Sequence, residues 1–348
     1  MKLVHGIFVD IEDSDLANLN ILFGARGPGK TYSRGKHSIE AAIADETNRS
    51  KFIWLRDTEA VVQKLVPGNA FISQIQNQEP DFPDVRIIKT EGNYNFILDP
   101  DTDNYRSLGY LMALSTFHNA RGISYDDVKD IIWDEFIPEE GTIIKKNQGQ
   151  IFLNMYESVN RNREIETPTH KAEPPVRITF LSNAEDIFSD VLEDLGVSYL
   201  IEEMNLTGQR VYRDEDIWIE MIDAAEFREK KKDTFIYRIN KNQKFKDKAL
   251  NNKFVYNKAL IKRNANLKNS TGLFNLSNRY VLIQLADGSL YWKLGSWKNI
   301  MTYDMDNDQE AILYRLLFND KLRLQYIAGN MYFDSIYTQR RILELSRI

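Results

Sequence analysis

Short, almost wholly apolar runs punctuate the first 200 residues, and between them lie stretches whose apolar positions recur at helical spacing. The runs are "NILFG" (20–24), "KFIWL" (51–55), "YLMALS" (110–115), "DIIWDE" (130–135) and "VRITFLS" (176–182). Continuous apolar runs of this length predict strands buried on both faces. "YSRGKHSIEAAIADE" (32–46) and "QIFLNMYESVNRNRE" (150–164) are helical candidates. Strands alternating with helices imply crossover units and a mainly parallel sheet. "VRIIKT" (85–90) and "YNFILD" (94–99), around "EGN" (91–93), predict an inserted hairpin.

The pattern changes near residue 200. "TPTHKAEPP" (167–175) is an internal loop, because a core strand follows it. The domain boundary is expected after "DVLEDLG" (190–196), with a first domain over 1–200 and a partly helical linker over 201–228. The second domain, 229–348, holds "TFIYRINK" (234–241), a hairpin "RYVLIQLADGSLYWKLG" (279–295) turning at Asp287-Gly288, and an amphipathic helix over 308–326.

Composition narrows the chemistry. There is no cysteine in 348 residues, which excludes disulfides, thiolate zinc sites and cysteine nucleophiles and suits a reducing cytoplasm. The four histidines are scattered, so a histidine metal site is not expected. The first residues lack a secretory pattern, and no apolar run reaches the roughly 20 residues of a membrane span. Net charge is −6, yet residues 228–268 carry 14 Lys and Arg against 3 acids, +11, leaving −17 on the remainder. That split fits an acidic body joined to a polyanion-facing segment, in which Lys230, Lys231, Lys232, Lys241, Lys244 and Lys246 are candidate nucleic-acid contacts. A lysine-covered solvated face fits equally.

"FGARGPGKTYS" supplies the chemistry. Gly24, Gly29, Lys30 and Thr31 fit the phosphate-loop pattern G-x4-G-K-[ST], with Arg26 and Gly27 inside the loop. Its glycines let backbone amides approach phosphate, the lysine neutralises β/γ oxygens and the threonine hydroxyl binds Mg²⁺. A nucleoside triphosphatase also needs an acid at a neighbouring strand end. "IIWDEF" places Asp134, for Mg²⁺, and Glu135, as general base for water, just over 100 residues after Lys30. The adjacent pair argues for ATP hydrolysis driving motion. At the end of "FLSNAED", Ser182 and Asn183 face either a γ-phosphate or the cap of a following helix. Arg161 and Arg163, in "VNRNRE", read as an arginine finger or as cations at a helix C-terminus. Arg121 and Arg56, at other strand ends, would face phosphate, DNA or solvent.

In this order and at these separations, "FGARGPGKTYS", "IIWDEFI", "VNRNRE" and "FLSNA" resemble the DNA-packaging ATPases of small short-tailed, protein-primed bacteriophages. The resemblance covers the first 200 residues; the remainder agrees only in length and basic character. It implies an α/β fold: a P-loop NTPase of the kind with an additional strand and a catalytic glutamate, then a smaller α+β, RNase H-like domain that has lost nuclease activity. It also implies ATP and Mg²⁺ as ligands and a homo-oligomeric ring, pentameric in the family, at the portal of a capsid. Double-stranded DNA is the implied cargo, the host cytoplasm the setting and no membrane a partner; a packaging RNA is left open. Arg161 matches the trans-acting finger, and Arg121 falls where the family has a second trans-acting cation, there a lysine. Residues 234–242 have no internal acid, Asp287 belongs to a turn, and Asp304 and Asp306 form an isolated loop, so a two-metal nuclease is not expected. The alternatives are a helicase or active terminase, and a nucleotide-switched assembly factor, against which Glu135 argues.

Overall fold

A computed structural model describes residues 2–4, 8–90, 92–120, 124–137, 147–183, 189–240 and 259–347. The chain divides into two compact units, Met1–Val197 with Glu203–Val255, and Ser198–Glu202 with Tyr256–Ile348.

The first unit opens with a two-stranded ribbon, β1 (Lys2–Val4) and β2 (Phe8–Asp10). Its main sheet is made of β3 (Leu19–Gly24), β4 (Lys51–Arg56), β5 (Val85–Thr90), β6 (Asn93–Leu98), β7 (Arg106–Ala113), β8 (Val128–Asp134), β9 (Arg177–Asn183), β10 (Val211–Arg213) and β11 (Ile217–Met221). Their spatial order is β10-β11-β3-β9-β8-β4-β7-β6-β5. Every pairing from β11 to β7 is parallel, and the antiparallel β5–β6 hairpin extends the far edge. The apolar runs are the parallel strands: Ile21, Leu22, Phe23, Ile53, Leu55, Ile131, Ile132 and Trp133 are fully buried. Asn20 is a fully buried polar residue among them, and its side-chain amide is satisfied by Ala17 and the Ile178 carbonyl.

Helices α1 (Lys30–Ala44), α2 (Glu59–Leu65), α3 (Ile72–Gln78), α4 (Gln148–Asn160), α5 (Asp190–Asp194) and α6 (Ser198–Thr207) make the connections, with α7 (Ala225–Lys232) and α8 (Phe235–Ile239) after the last strand. At the strand starts Arg177 bonds Asp130 and Asp13, and Asp13 also binds the fully buried Arg34 of α1 at 2.6 Å. This network ties β8, β9, the 3-10 turn at Asp13–Asp15 and α1 together, at the strand ends opposite the phosphate loop.

The second unit has a five-stranded sheet, order β15-β12-β13-β14-β16, from β12 (Thr271–Leu276), β13 (Tyr280–Gln284), β14 (Leu290–Leu294), β15 (Thr302–Tyr303) and β16 (Met331–Phe333). The β12–β13–β14 meander is antiparallel and both edge strands pair in parallel. Helices Asp308–Ile327 and Ile336–Ser346 accompany it, and Phe274, Trp292, Tyr303, Tyr314 and Phe333 form its core.

The expected boundary is corrected. Residues 201–228 are not a linker: they supply β10 and β11, and β11 pairs with the phosphate-loop strand, Met221 opposite Phe23. The run "IWIEM" is short and set among charges, yet Trp218 and Ile219 are buried. The basic stretch through Asn240 also belongs to the first unit, and "TFIYRINK" begins with α8.

Candidate nucleotide site

The sheet order decides what can meet. β9 separates the phosphate-loop strand β3 from the acid strand β8, so Gly24 lies opposite Asn183 while Asp134 lies opposite Leu181. Both strands end at the same edge, where ligands bind in open α/β sheets. The loop enters α1 through Gly27 (φ 104°) and Gly29 (φ 93°), backbone that side-chain-bearing residues rarely adopt. Gly29 is the N-cap of α1, so the first amides of that helix face the cleft.

The cleft has a volume of about 330 Å³ and is lined by Arg26, Gly27, Gly29, Lys30, Thr31, Asp134, Glu135, Ser182 and Asn183, with Tyr32 and Gln74 at its side. Lys30 Nζ donates to the Gly24 and Ala25 carbonyls at 3.1 and 2.9 Å and to Asn183 Oδ1 at 3.5 Å. Burial lowers its pKa to about 8, against the opposing pull of Asp134. Thr31 Oγ1 donates to Asp134 Oδ1 at 3.0 Å. Asp134 is itself buried, which raises its pKa, while Arg56 works in the other direction. Glu135 takes a left-handed backbone (φ 55°), uncommon away from glycine, and turns its half-exposed side chain toward Arg56.

Arg56 corrects the sequence reading. Proposed as a nucleic-acid contact, it donates Nη1 to Asp134 Oδ2 at 2.7 Å and Nη2 to Glu135 Oε2, joining both acids. Its side chain is only 12% exposed, too little for a surface contact. The lysine run divides in a similar way. Lys230 pairs with Glu226 and Lys232 with Glu229, whereas Lys231 Nζ reaches 2.6 Å from the carbonyl of Arg26 in the phosphate loop. Lys241, Lys244, Lys246 and Arg121 lie outside the described residues.

The two finger candidates separate. Arg163 donates to the Val128 carbonyl at the start of β8 and serves the fold. Arg161 is exposed, just past α4, with φ 47°; the helix stops at Asn160 instead of running through Glu164. The Asn160 side chain, in turn, accepts from the amide of Val176, next to the start of β9. The Ser182 hydroxyl donates to the Asn183 carbonyl, and among the described residues the next helix, α5, starts at Asp190. Sequence reading missed Tyr32 and Gln74; Tyr32 adjoins the motif, whereas nothing in the sequence around Gln74 points to the cleft.

The sequence profile of the podovirus DNA encapsidation protein (Gp16) family matches residues 13–291. The chain belongs to that family. The DNA packaging protein of Bacillus phage B103 is 27% identical over 330 residues, covering 91% of this chain and 92% of that protein. The corresponding protein of Bacillus phage phi29 is 24% identical over 343 residues, covering 94% and 93%. Among solved structures, the chain is similar to one in the bacteriophage phi-29 viral genome packaging motor assembly, with a TM-score of 0.64, 19% identity and coverage of 98% and 99%. It is also similar to one in the phi-28 gp11 DNA packaging motor, with a TM-score of 0.61, 18% identity and 95% coverage of each. The shared fold of this encapsidation family therefore runs well past the 200 residues that carry the motifs.

Proposed function

We propose that this chain is an ATP-driven motor that moves viral double-stranded DNA into a preformed capsid as a ring at the portal, in the host cytoplasm. The observation that carries the reading is the convergence of Lys30 and Thr31 from the start of α1, Asp134 and Glu135 from the end of β8 and Asn183 from the end of β9 at one sheet edge. Helix-start amides and Lys30 hold the β- and γ-phosphates. Thr31 Oγ1 and Asp134 Oδ1, hard oxygen donors already 3.0 Å apart, fit Mg²⁺, which takes one or two protein oxygens besides phosphate. Mg²⁺, when bound, supplies charge neutralisation at the β/γ oxygens. Glu135 takes a proton from the attacking water once its carboxylate leaves Arg56, and Asn183 senses the γ-phosphate.

Arg161 supports the ring. Helix α4 has 13 residues, about 20 Å at 1.5 Å each, and runs from the site edge, where Gln148 bonds Asp57 just after β4, back to the strand starts. Arg161 therefore cannot reach its own site; we assign it to the site of a neighbouring subunit. A ring of five and a packaging RNA are carried by the resemblance alone. For the second unit we propose a nuclease-like fold without nuclease chemistry. In its support, Asp287 accepts from Ser289 within its own turn, and Asp304 from Ser277 and the Asp306 amide.

Steady-state ATPase assays on the full chain, with and without duplex DNA, test the reading. Lys30→Ala should abolish turnover, and Glu135→Gln should bind ATP but hydrolyse it at least about 100-fold more slowly. Wild-type turnover by Glu135→Gln would remove Glu135 from its role. An assembly factor that only switches would bind ATP with no DNA-stimulated turnover.

A further inference from the structure

The phosphate loop is held from two sides by elements outside its own motif. On one side, the Val9 amide of β2 donates to the Pro28 carbonyl at 2.8 Å, and a Cβ on Gly29 would meet the Phe8 side chain at 3.8 Å. On the other stands α7. Its Phe227 covers Gly27 so closely that a Cβ there would come within 2.7 Å of the ring, and Phe227 meets Phe8 at 6.2 Å between centroids. The start of α7 is fixed to the sheet: the Ile222 amide continues the pairing to Phe23, and Arg228 bonds Asp223 at 2.6 Å.

From this platform one ammonium group reaches the phosphate loop. Lys231 is 5.4 Å from the ring centroids of both Phe227 and Tyr237, a position that suits a cation on aromatic faces. Its Nζ donates to the Arg26 carbonyl at 2.6 Å, while Lys30 takes the two preceding carbonyls, Gly24 and Ala25. Two lysines 201 positions apart in the sequence thus bind three consecutive loop carbonyls. Held through these carbonyls, the loop backbone is fixed beside the cleft that Arg26 and Gly27 line. The flanking lysines do something else, since Lys230 and Lys232 pair with glutamates of their own helix.

We infer that Lys231 is a positioning residue for nucleotide binding: from α7 it braces the Arg26 carbonyl and so keeps the phosphate loop in its binding conformation. Lys231 belongs to a basic stretch whose composition points to nucleic acid, and its contacts give it a different task. The inference rests on the proposed nucleotide site. The brace is present whether substrate or transition state occupies the loop, so its loss removes uniform binding: KM rises and kcat stays near its value.

The test uses the full chain, with a fluorescent ADP analogue plus Mg²⁺ for affinity and steady-state ATP hydrolysis for KM and kcat. Lys231→Met should weaken nucleotide binding about tenfold and raise KM in proportion, with kcat within about threefold. Lys231→Arg, which keeps the donor and the charge, should restore affinity to within about threefold. Lys230→Met, one position earlier, sets the background for losing a charge from this helix. Lys231→Gln, shorter and neutral, repeats the test should the methionine chain fail to show a cooperative melt. A folded Lys231→Met or Lys231→Gln chain with wild-type affinity overturns the inference, as does a loss that arginine does not repair or that appears in kcat alone. Lys30→Ala separates the two levels. If it too binds normally, the nucleotide site itself is misassigned; if only the Lys231 variants bind normally, the brace alone is.

Discussion

Replacing Arg56 with methionine keeps the aliphatic stem and removes the cation that joins Asp134 to Glu135. The two acids do not contribute equally. The Glu135 side chain is 52% exposed and water replaces its partner, so that half of the bridge is worth under about 1 kcal/mol. Asp134 is 7% exposed in its side chain and would keep only the Thr31 hydroxyl and the neighbouring Lys30. Breaking a buried ion pair from one side costs about 3–5 kcal/mol; with these two groups remaining, the expected loss is about 3 kcal/mol. Urea unfolding of the full chain measures it. In an Asp134→Asn background, which removes the stranded charge, Arg56→Met should cost less than about 1 kcal/mol. The pH dependence follows from the raised pKa of Asp134. Between its ordinary value of 3.8 and the folded value, the native state holds a proton that the unfolded state has released, so stability falls as pH rises through that window. Loss of Arg56 raises the folded value further, so the penalty should shrink as pH falls into that window, where the buried acid takes up its proton. A cost below about 1 kcal/mol, or one equal in both backgrounds, would refute the claim that Arg56 serves chiefly to hold the buried acid.

Two further outcomes follow. Lys30, held at about 8 by burial, loses its proton in the empty protein as pH rises past that value, and phosphate binding must restore it. ATP affinity should therefore fall about fivefold between pH 8 and 9, with proton uptake seen by calorimetry in buffers of different ionisation enthalpy; a flat profile to pH 9.5 would remove this coupling. For folding the sign is opposite, because the native state releases the proton before the unfolded one and stability rises from pH 8 toward 10.5. Arg161→Ala should leave nucleotide binding by isolated subunits intact and suppress hydrolysis only in the assembled form, and an equal defect in verified monomers would make Arg161 a residue of its own site.

The parallel strands and the phosphate loop were legible in the sequence because each is a local signal: a continuous apolar run, or a fixed spacing of Gly, Lys and Thr. β11 was not, because five residues among charges carry too little pattern, and its partner β3 lies almost 200 positions earlier. The partners of Arg56 and Lys231 were invisible for the same reason. Arg56 meets Asp134 across 78 positions, and Lys231 meets Arg26 across 205, so each pairing exists only once the strand order is set. The end of α4 was misread by four residues, since nothing in "VNRNRE" announces the left-handed backbone of Arg161.

The bridge between Arg56, Asp134 and Glu135 also bears on the order of loading. Arg56 bonds both Asp134 and Glu135, and Lys30 lies beside Asp134, so both carboxylates hold cationic partners before any ligand arrives. A bare divalent ion must displace a guanidinium to reach the carboxylates. A metal–triphosphate complex brings anions that compensate both cations as it enters. On the proposed function, the ion would arrive with its nucleotide, and the bridge from Arg56 to the two acids would re-form once products leave. In the proposed ring, each emptied site would then reset without help from its neighbours.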